Sequence, residues 1–169
     1  MKVYLLFLPL FLLITGCGYL PASHYAKNVV GESVSTEVVI SMEDPQNTVI
    51  IKDAVDTAMI VKFRTALVSK SSSQTHLKFQ ISSVTFTPLR YDSNGYVITY
   101  RTRVAMNIER ISVGDKGNYT VSGVYDFNIE PNAIISDQAR FEAIRFASQK
   151  AIDAFIAQVA SQGTKSLKE

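Results

Sequence analysis

Cys17 is the only cysteine among 169 residues, and its thiol is the one soft nucleophile of the chain. A solitary thiol has no disulfide partner, so its chemistry is alkylation to a thioether or metal binding. Metal binding needs companions, and the two histidines, His24 and His76, form no recognisable metal-ligand motif with it. Asp53 and Asp56 sit one helical turn apart and could bind a cation or exchange a proton. They are better explained as charges near a helix N-terminus, where the macrodipole favours them. There is no His-Glu-x-x-His, no Gly-x-Ser-x-Gly and no phosphate-cradling glycine loop. No set of residues offers a nucleophile with a base, so the sequence points away from an enzyme.

The residues before Cys17 say what its thiol is for. Lys2 precedes an apolar run from Val3 to Ile14, about half the roughly 20 residues that span a bilayer. Such a run fits an export signal. The tetrad Ile14-Thr15-Gly16-Cys17 resembles the lipobox of bacterial lipoproteins. That resemblance implies cleavage after Gly16, a diacylglycerol on the thiol and an acyl chain on the new amino group of Cys17. Each buried methylene contributes about 0.8 kcal/mol, and two or three chains on one residue make a durable anchor. The alternative is an ordinary cleaved signal that leaves a free thiol. Gly18, standing where an Asp would favour inner-membrane retention in that resemblance, leans towards the outer membrane.

The expected boundaries are a signal peptide over 1–16, an acylated tether over 17–33, one domain over 34–162 and a frayed tail over 163–169. Removing the leader leaves sixteen basic against fifteen acidic side chains. Near-neutral charge steers towards no particular partner, while the lack of a basic stripe, together with export, points away from nucleic acid.

Local patterns predict the elements of that domain. Val34 to Met42 reads as a strand, broken at Glu43-Asp44-Pro45-Gln46-Asn47. Val55, Met59, Ile60, Phe63, Ala66 and Leu67 recur at helical spacing, predicting an amphipathic helix over Ile51 to Val68. Leu77, Phe79 and Ile81 share a strand face, and the phase slips near Ser82-Ser83 to Val84 and Phe86, which predicts a bulge. Asn94-Gly95 marks a hairpin. Tyr96 to Glu109 and Tyr119 to Ile129 alternate as half-buried strands, with Gly114-Asp115-Lys116-Gly117 reversing the chain between them. Tyr96, Tyr100, Tyr119 and Tyr125 keep the phase of Ile98, Val104, Val121 and Phe127, which favours core packing over a contact surface. Ser136 and Asp137 are candidate caps for a last helix whose stripe runs from Phe141 to Val159, with Gly163 as its stop. The expected class is α+β: a two-layer sandwich, with a four-stranded, mostly antiparallel sheet and two helices on one face, in the order β-α-β-β-β-α.

That element order, together with Gly16-Cys17-Gly18-Tyr19, Asp44-Pro45-Gln46-Asn47-Thr48, Ile50-Ile51-Lys52-Asp53-Ala54 and Tyr91-Asp92-Ser93-Asn94-Gly95-Tyr96, resembles the lipopolysaccharide-assembly lipoprotein family LptE, in its ε-proteobacterial branch. The resemblance covers nearly the whole chain. It implies a non-enzymatic lipoprotein of the outer membrane, facing the periplasm, that plugs the large β-barrel translocon LptD and helps lipopolysaccharide reach the surface. It implies no cofactor beyond the covalent acyl groups on Cys17. An anionic sugar-phosphate headgroup would need Lys or Arg at exposed hairpin ends or on the solvated sheet face. Arg90, Arg101, Arg103 and Lys116 fit, each otherwise a solvated surface charge. Two other readings share the layout: an auxiliary lipoprotein of a lipid-transport ABC system, and a stand-alone periplasmic ligand-binding module.

Overall fold

The computed structural model describes residues 29–39 and 45–165. The signal, Cys17 and His24 lie outside that range, as do the first part of the tether and residues 40–44. Of the expected tether, residues 29–33 are within it: Val30 is fully buried in the core and Ser33 already begins the first strand.

The elements run β1 (Ser33–Val39), α1 (Pro45–Ala58), a π-helical turn (Met59–Phe63), β2 (Ala66–Leu67), a 3₁₀ turn (Lys70–Ser72), β3 (Thr75–Tyr91), β4 (Val97–Ser112), β5 (Asp115–Asn128) and α2 (Asp137–Lys165). The sheet has five strands in the order β2-β1-β3-β4-β5 and is mixed, not four-stranded. β1 runs parallel to both β2 and β3, while β3, β4 and β5 are antiparallel. The parallel pairing follows from α1, which carries the chain back over the sheet as a crossover connection.

Three local features separate this fold from the expected one. Pro45 opens α1 and does not block it, because the first helical position needs no N–H donor. The helix stops at Arg64, whose left-handed backbone (φ 53°) sends its N–H to the Met59 carbonyl. Ala66 and Val68 are then free to donate to the Glu32 and Val34 carbonyls, both at 2.9 Å, which makes β2. At the other end α2 runs through Gly163 to Lys165.

Other expectations hold. The β3–β4 register shifts between Ile81 and Ser83. Gly95 and Gly114 adopt φ of 84° and 79° in the two hairpin turns. The Ser136 hydroxyl accepts the Ala139 N–H at 3.2 Å. Both helices pack on one face of the sheet, over a core of Val34, Ile51, Val55, Leu77, Phe79, Val104, Met106, Ile108, Ile144, Ile152 and Phe155. Asp56 lies in the last turn of α1, where it accepts the Thr36 hydroxyl at 2.6 Å and pairs with Lys52. It ties α1 to β1, so the macrodipole does not account for it.

Candidate functional site

With both helices on one face, no element among the described residues covers the other face of the sheet, and its side chains are mostly polar because alternate residues of each strand must meet water. Arg101 and Asp126 stand opposite each other on β4 and β5. Arg101 Nε and Nη2 donate to the two carboxylate oxygens of Asp126, each at 2.7 Å. This fork holds the Asp126 carboxyl below its usual range and raises Arg101. Arg103 donates to the Ser122 hydroxyl at 3.0 Å and keeps its charge in solvent. Arg90 is exposed near the β3–β4 turn. Lys116 is exposed near the β4–β5 turn, eight register positions beyond Arg103, or about 26 Å along the sheet. The four cations therefore form no single patch: Arg90, Arg101 and Arg103 share one half of the sheet and Lys116 belongs to the other.

Between them, Lys78, Gln80, Asn107, Glu109, Asn118 and Thr120 line a shallow polar groove of about 290 Å³. Further along, His76 links Ser35 Oγ (2.8 Å from Nδ1) to Glu37 Oε2 (3.2 Å from Nε2). The grouping has the composition of a hydrolytic triad. Yet Ser35 is buried, and its hydroxyl is also bonded to Ser73 at 2.8 Å, so it faces no open space in which a substrate could sit. Among the described residues no group of three His, Cys, Asp or Glu could hold a metal ion.

The covered face contributes cations that the alternation of the strands did not reveal. Arg140, Arg145 and Lys150 of α2 lie over the rings of Phe86, Phe146 and Tyr125 at 5.0, 4.8 and 5.8 Å. Tyr125 stacks on Phe146, and Tyr100 on Phe127. Leu89, Tyr91, Tyr96, Ile134 and Phe141 are exposed around the same end of the molecule. Cation–aromatic pairs of this kind contribute about 0.5–1 kcal/mol each when exposed. Their larger meaning is chemical: one end presents apolar area and positive charge together. Of the four tyrosines expected in the core, Tyr119 is buried, Tyr100 and Tyr125 are half-buried, and Tyr96 is exposed.

Arg110 is a second residue that the reading of the strand passed over. It occupies the inward phase of β4 with only 5% exposure. Its guanidinium donates to Tyr119 Oη at 3.3 Å, Ser112 Oγ at 3.1 Å and Asp115 Oδ2 at 2.5 Å, and Tyr119 donates on to Gln162 at 2.7 Å. Burial alone would lower Arg110, but the bonds to Asp115 and Tyr119 outweigh it and raise it, while Asp115 is held low by the same bond. A carboxyl depressed in the folded state contributes stability above its unfolded value, and this is lost as pH falls through the folded value. Asp115 and Asp126 therefore predict a fall in melting temperature below about pH 4. Asp115→Asn and Asp126→Asn should each flatten that acid limb; an unchanged limb in the double variant would refute the assignment.

Residues 36–159 match the family model described as LptE, lipopolysaccharide-assembly. The chain belongs to the LptE family. Its members are non-enzymatic envelope lipoproteins of lipopolysaccharide assembly, so this LptE-family chain is a lipoprotein of that pathway. No curated protein matches it. Among solved structures, protein XCC0632 from Xanthomonas campestris aligns at 11% identity over 84% of this chain and 90% of its own, with a TM-score of 0.50, a likeness of fold alone. The rare lipoprotein B from Shewanella oneidensis aligns at 13% identity over 80% and 93%, with a TM-score of 0.44. Lipoprotein B from Nitrosomonas europaea aligns at 15% over 81% and 87%, with a TM-score of 0.46. No helix among the described residues of this LptE-family chain is long and apolar enough to cross a membrane.

Proposed function

We propose that residues 1–16 are removed as a signal peptide, that acylated Cys17 anchors the chain to the periplasmic side of the outer membrane, and that the folded domain plugs the LptD β-barrel to aid lipopolysaccharide transport. The observation that carries this is the LptE match across residues 36–159, the greater part of the folded domain. The geometry supports it in a second way. Lipopolysaccharide is an anionic amphiphile, and the β3–β4 end of the molecule joins exposed Leu89, Tyr91 and Phe141 to Arg90 and Arg140. Arg103, held only by a hydroxyl, has charge to offer a phosphate. Arg101 would have to exchange Asp126 for it, and Lys116 would meet a different part of the ligand or partner.

A complementation experiment tests the proposal. Cells depleted of the protein should lose surface lipopolysaccharide and correctly folded barrel together, and the wild-type chain should restore both. Cys17→Ala should carry no fatty-acid label and fail to stay with the outer membrane. The Arg90→Glu and Arg103→Glu double variant should restore the barrel but not lipopolysaccharide binding. Normal surface lipopolysaccharide and normal barrel in depleted cells would overturn the reading.

A further inference from the structure

The two edges of the sheet are built differently. One edge is β2, two residues long. The other is β5, 14 residues with no proline and no register shift against β4. The direction of its backbone groups follows from the hydrogen bonds. Ile129 N–H donates to the Ile98 carbonyl, so odd-numbered residues of β5 face β4. In an antiparallel pair the intervening residues turn both N–H and C=O the other way. Asn118, Thr120, Ser122, Val124 and Asp126 thus direct their backbone groups to the open side, and Gln158 Nε2 reaches the Thr120 carbonyl there at 3.4 Å. Among the described residues no strand lies alongside β5. Proteins that keep such an edge unpaired blunt it with prolines, bulges, shortness or charge along its length. From Asn118 to Val124 β5 has none of these.

We propose that the outer edge of β5 is a docking strand, onto which an extended, carboxylate-bearing segment of the β-barrel partner adds as a sixth strand. The inference rests on the barrel reading above and names the surface that would serve it. The chemistry of the incoming segment follows from the charges that flank the edge. Lys116 at one end of the strand, and Arg145 and Lys150 on the overlying α2, are exposed. The two carboxylates of β5 itself are engaged, Asp115 by Arg110 and Asp126 by Arg101. The border is therefore cationic, and main-chain bonding supplies affinity while acidic side chains of the guest supply register.

The test uses the full chain in cells, with the photo-reactive residue p-benzoylphenylalanine at position 124 and, as a control, at position 53 of α1. Irradiation should give an adduct of barrel mass from position 124 that is stronger than any from position 53, and adducts of equal strength from the two positions would overturn the edge. Ser122→Pro removes an outward N–H together with the hydroxyl that Arg103 bonds and should cut that adduct about tenfold, the equivalent of roughly one hydrogen bond with its neighbours, whereas Ser122→Ala, which loses the hydroxyl alone, should leave it unchanged. Because the position-124 adduct needs no proline, a Ser122→Pro chain that fails to fold leaves the first arm decisive. An adduct of twice the chain's own mass, or one within a single chain, overturns the proposal. Co-purification of the barrel with no adduct overturns the edge while sparing the barrel reading; a folded chain that recovers no barrel overturns both.

Discussion

Gly123→Ala should lower the melting temperature of the domain by on the order of 10 °C, corresponding to about 3 kcal/mol of lost stability. Gly123 lies in β5 opposite Val104, directly beneath α2. A Cβ on it would stand 2.1 Å from the Ala147 carbonyl oxygen, 2.3 Å from the Ala151 nitrogen and 2.9 Å from the Lys150 carbonyl carbon. All three are main-chain atoms, so no rotamer change can make room. The helix must lift, and it cannot lift at one point alone. Ala143, Ala147 and Ala151, all buried, form a row of small residues at four-residue spacing that lets α2 approach the sheet this closely. Raising that row loosens Ile144, Ile152 and Phe155 together. Thermal unfolding followed by far-ultraviolet circular dichroism measures the effect, with Val124→Thr on the opposite face expected to stay within about 0.5 kcal/mol. A Gly123→Ala domain as stable as the wild type would mean that α2 does not sit on β5 as described.

Phe155→Ala should cost about 3–5 kcal/mol, a large part of the roughly 5–15 kcal/mol that holds a domain folded. Phe155 is fully buried and is the shared neighbour of three rings from different parts of the chain. Phe63 of the π-helical turn lies at 5.9 Å, Phe79 of β3 at 6.2 Å and Tyr119 of β5 at 5.1 Å, the last two edge-to-face. Truncation removes apolar contact and leaves a cavity whose walls belong to two helical segments and two strands, so collapse is restrained on every side. Phe155→Leu, which keeps most of the volume, should cost less than about 1.5 kcal/mol. Urea unfolding would show the difference as a shift of midpoint at constant slope. Near-equal values for Ala and Leu would indicate a site that closes freely.

The parts of this fold that were legible in the sequence are those whose physics is local. The alternation from Tyr96 to Glu109, the phase slip at Ser82-Ser83, Asn94-Gly95 and the Ser136 cap each depend on residues a few positions apart. β2 was hidden because Ala66 and Leu67 continue the helical period of Met59 and Phe63, and the break between them is a left-handed arginine, Arg64, where a glycine would have signalled it. Pro45 read as a breaker because nothing local distinguishes a helix's first position from a turn. Within the candidate site, Arg101 was identifiable as an exposed cation, but its neutralisation by Asp126 depends on the β4–β5 register, 25 residues away in sequence. Arg110 did leave a local mark: a charge in the inward phase of Val104, Met106 and Ile108. The close approach at Gly123 left none, since it is a relation between a strand and the turns of a distant helix.

The parallel pairing of β1 with β3 fixes where the chain enters its own fold. Val34 lies beside Thr75, so the polypeptide arriving from Cys17 joins at the end opposite the Asp92–Gly95 turn. The 17 residues of β3 at about 3.3 Å each place that turn about 55 Å from the point of entry. A lipid bilayer with its headgroups is about 40–45 Å thick. A body of this reach is longer than a membrane is deep, so on the proposal that acylated Cys17 anchors it, its hairpin tip and its point of entry stand further apart than the two surfaces of a bilayer.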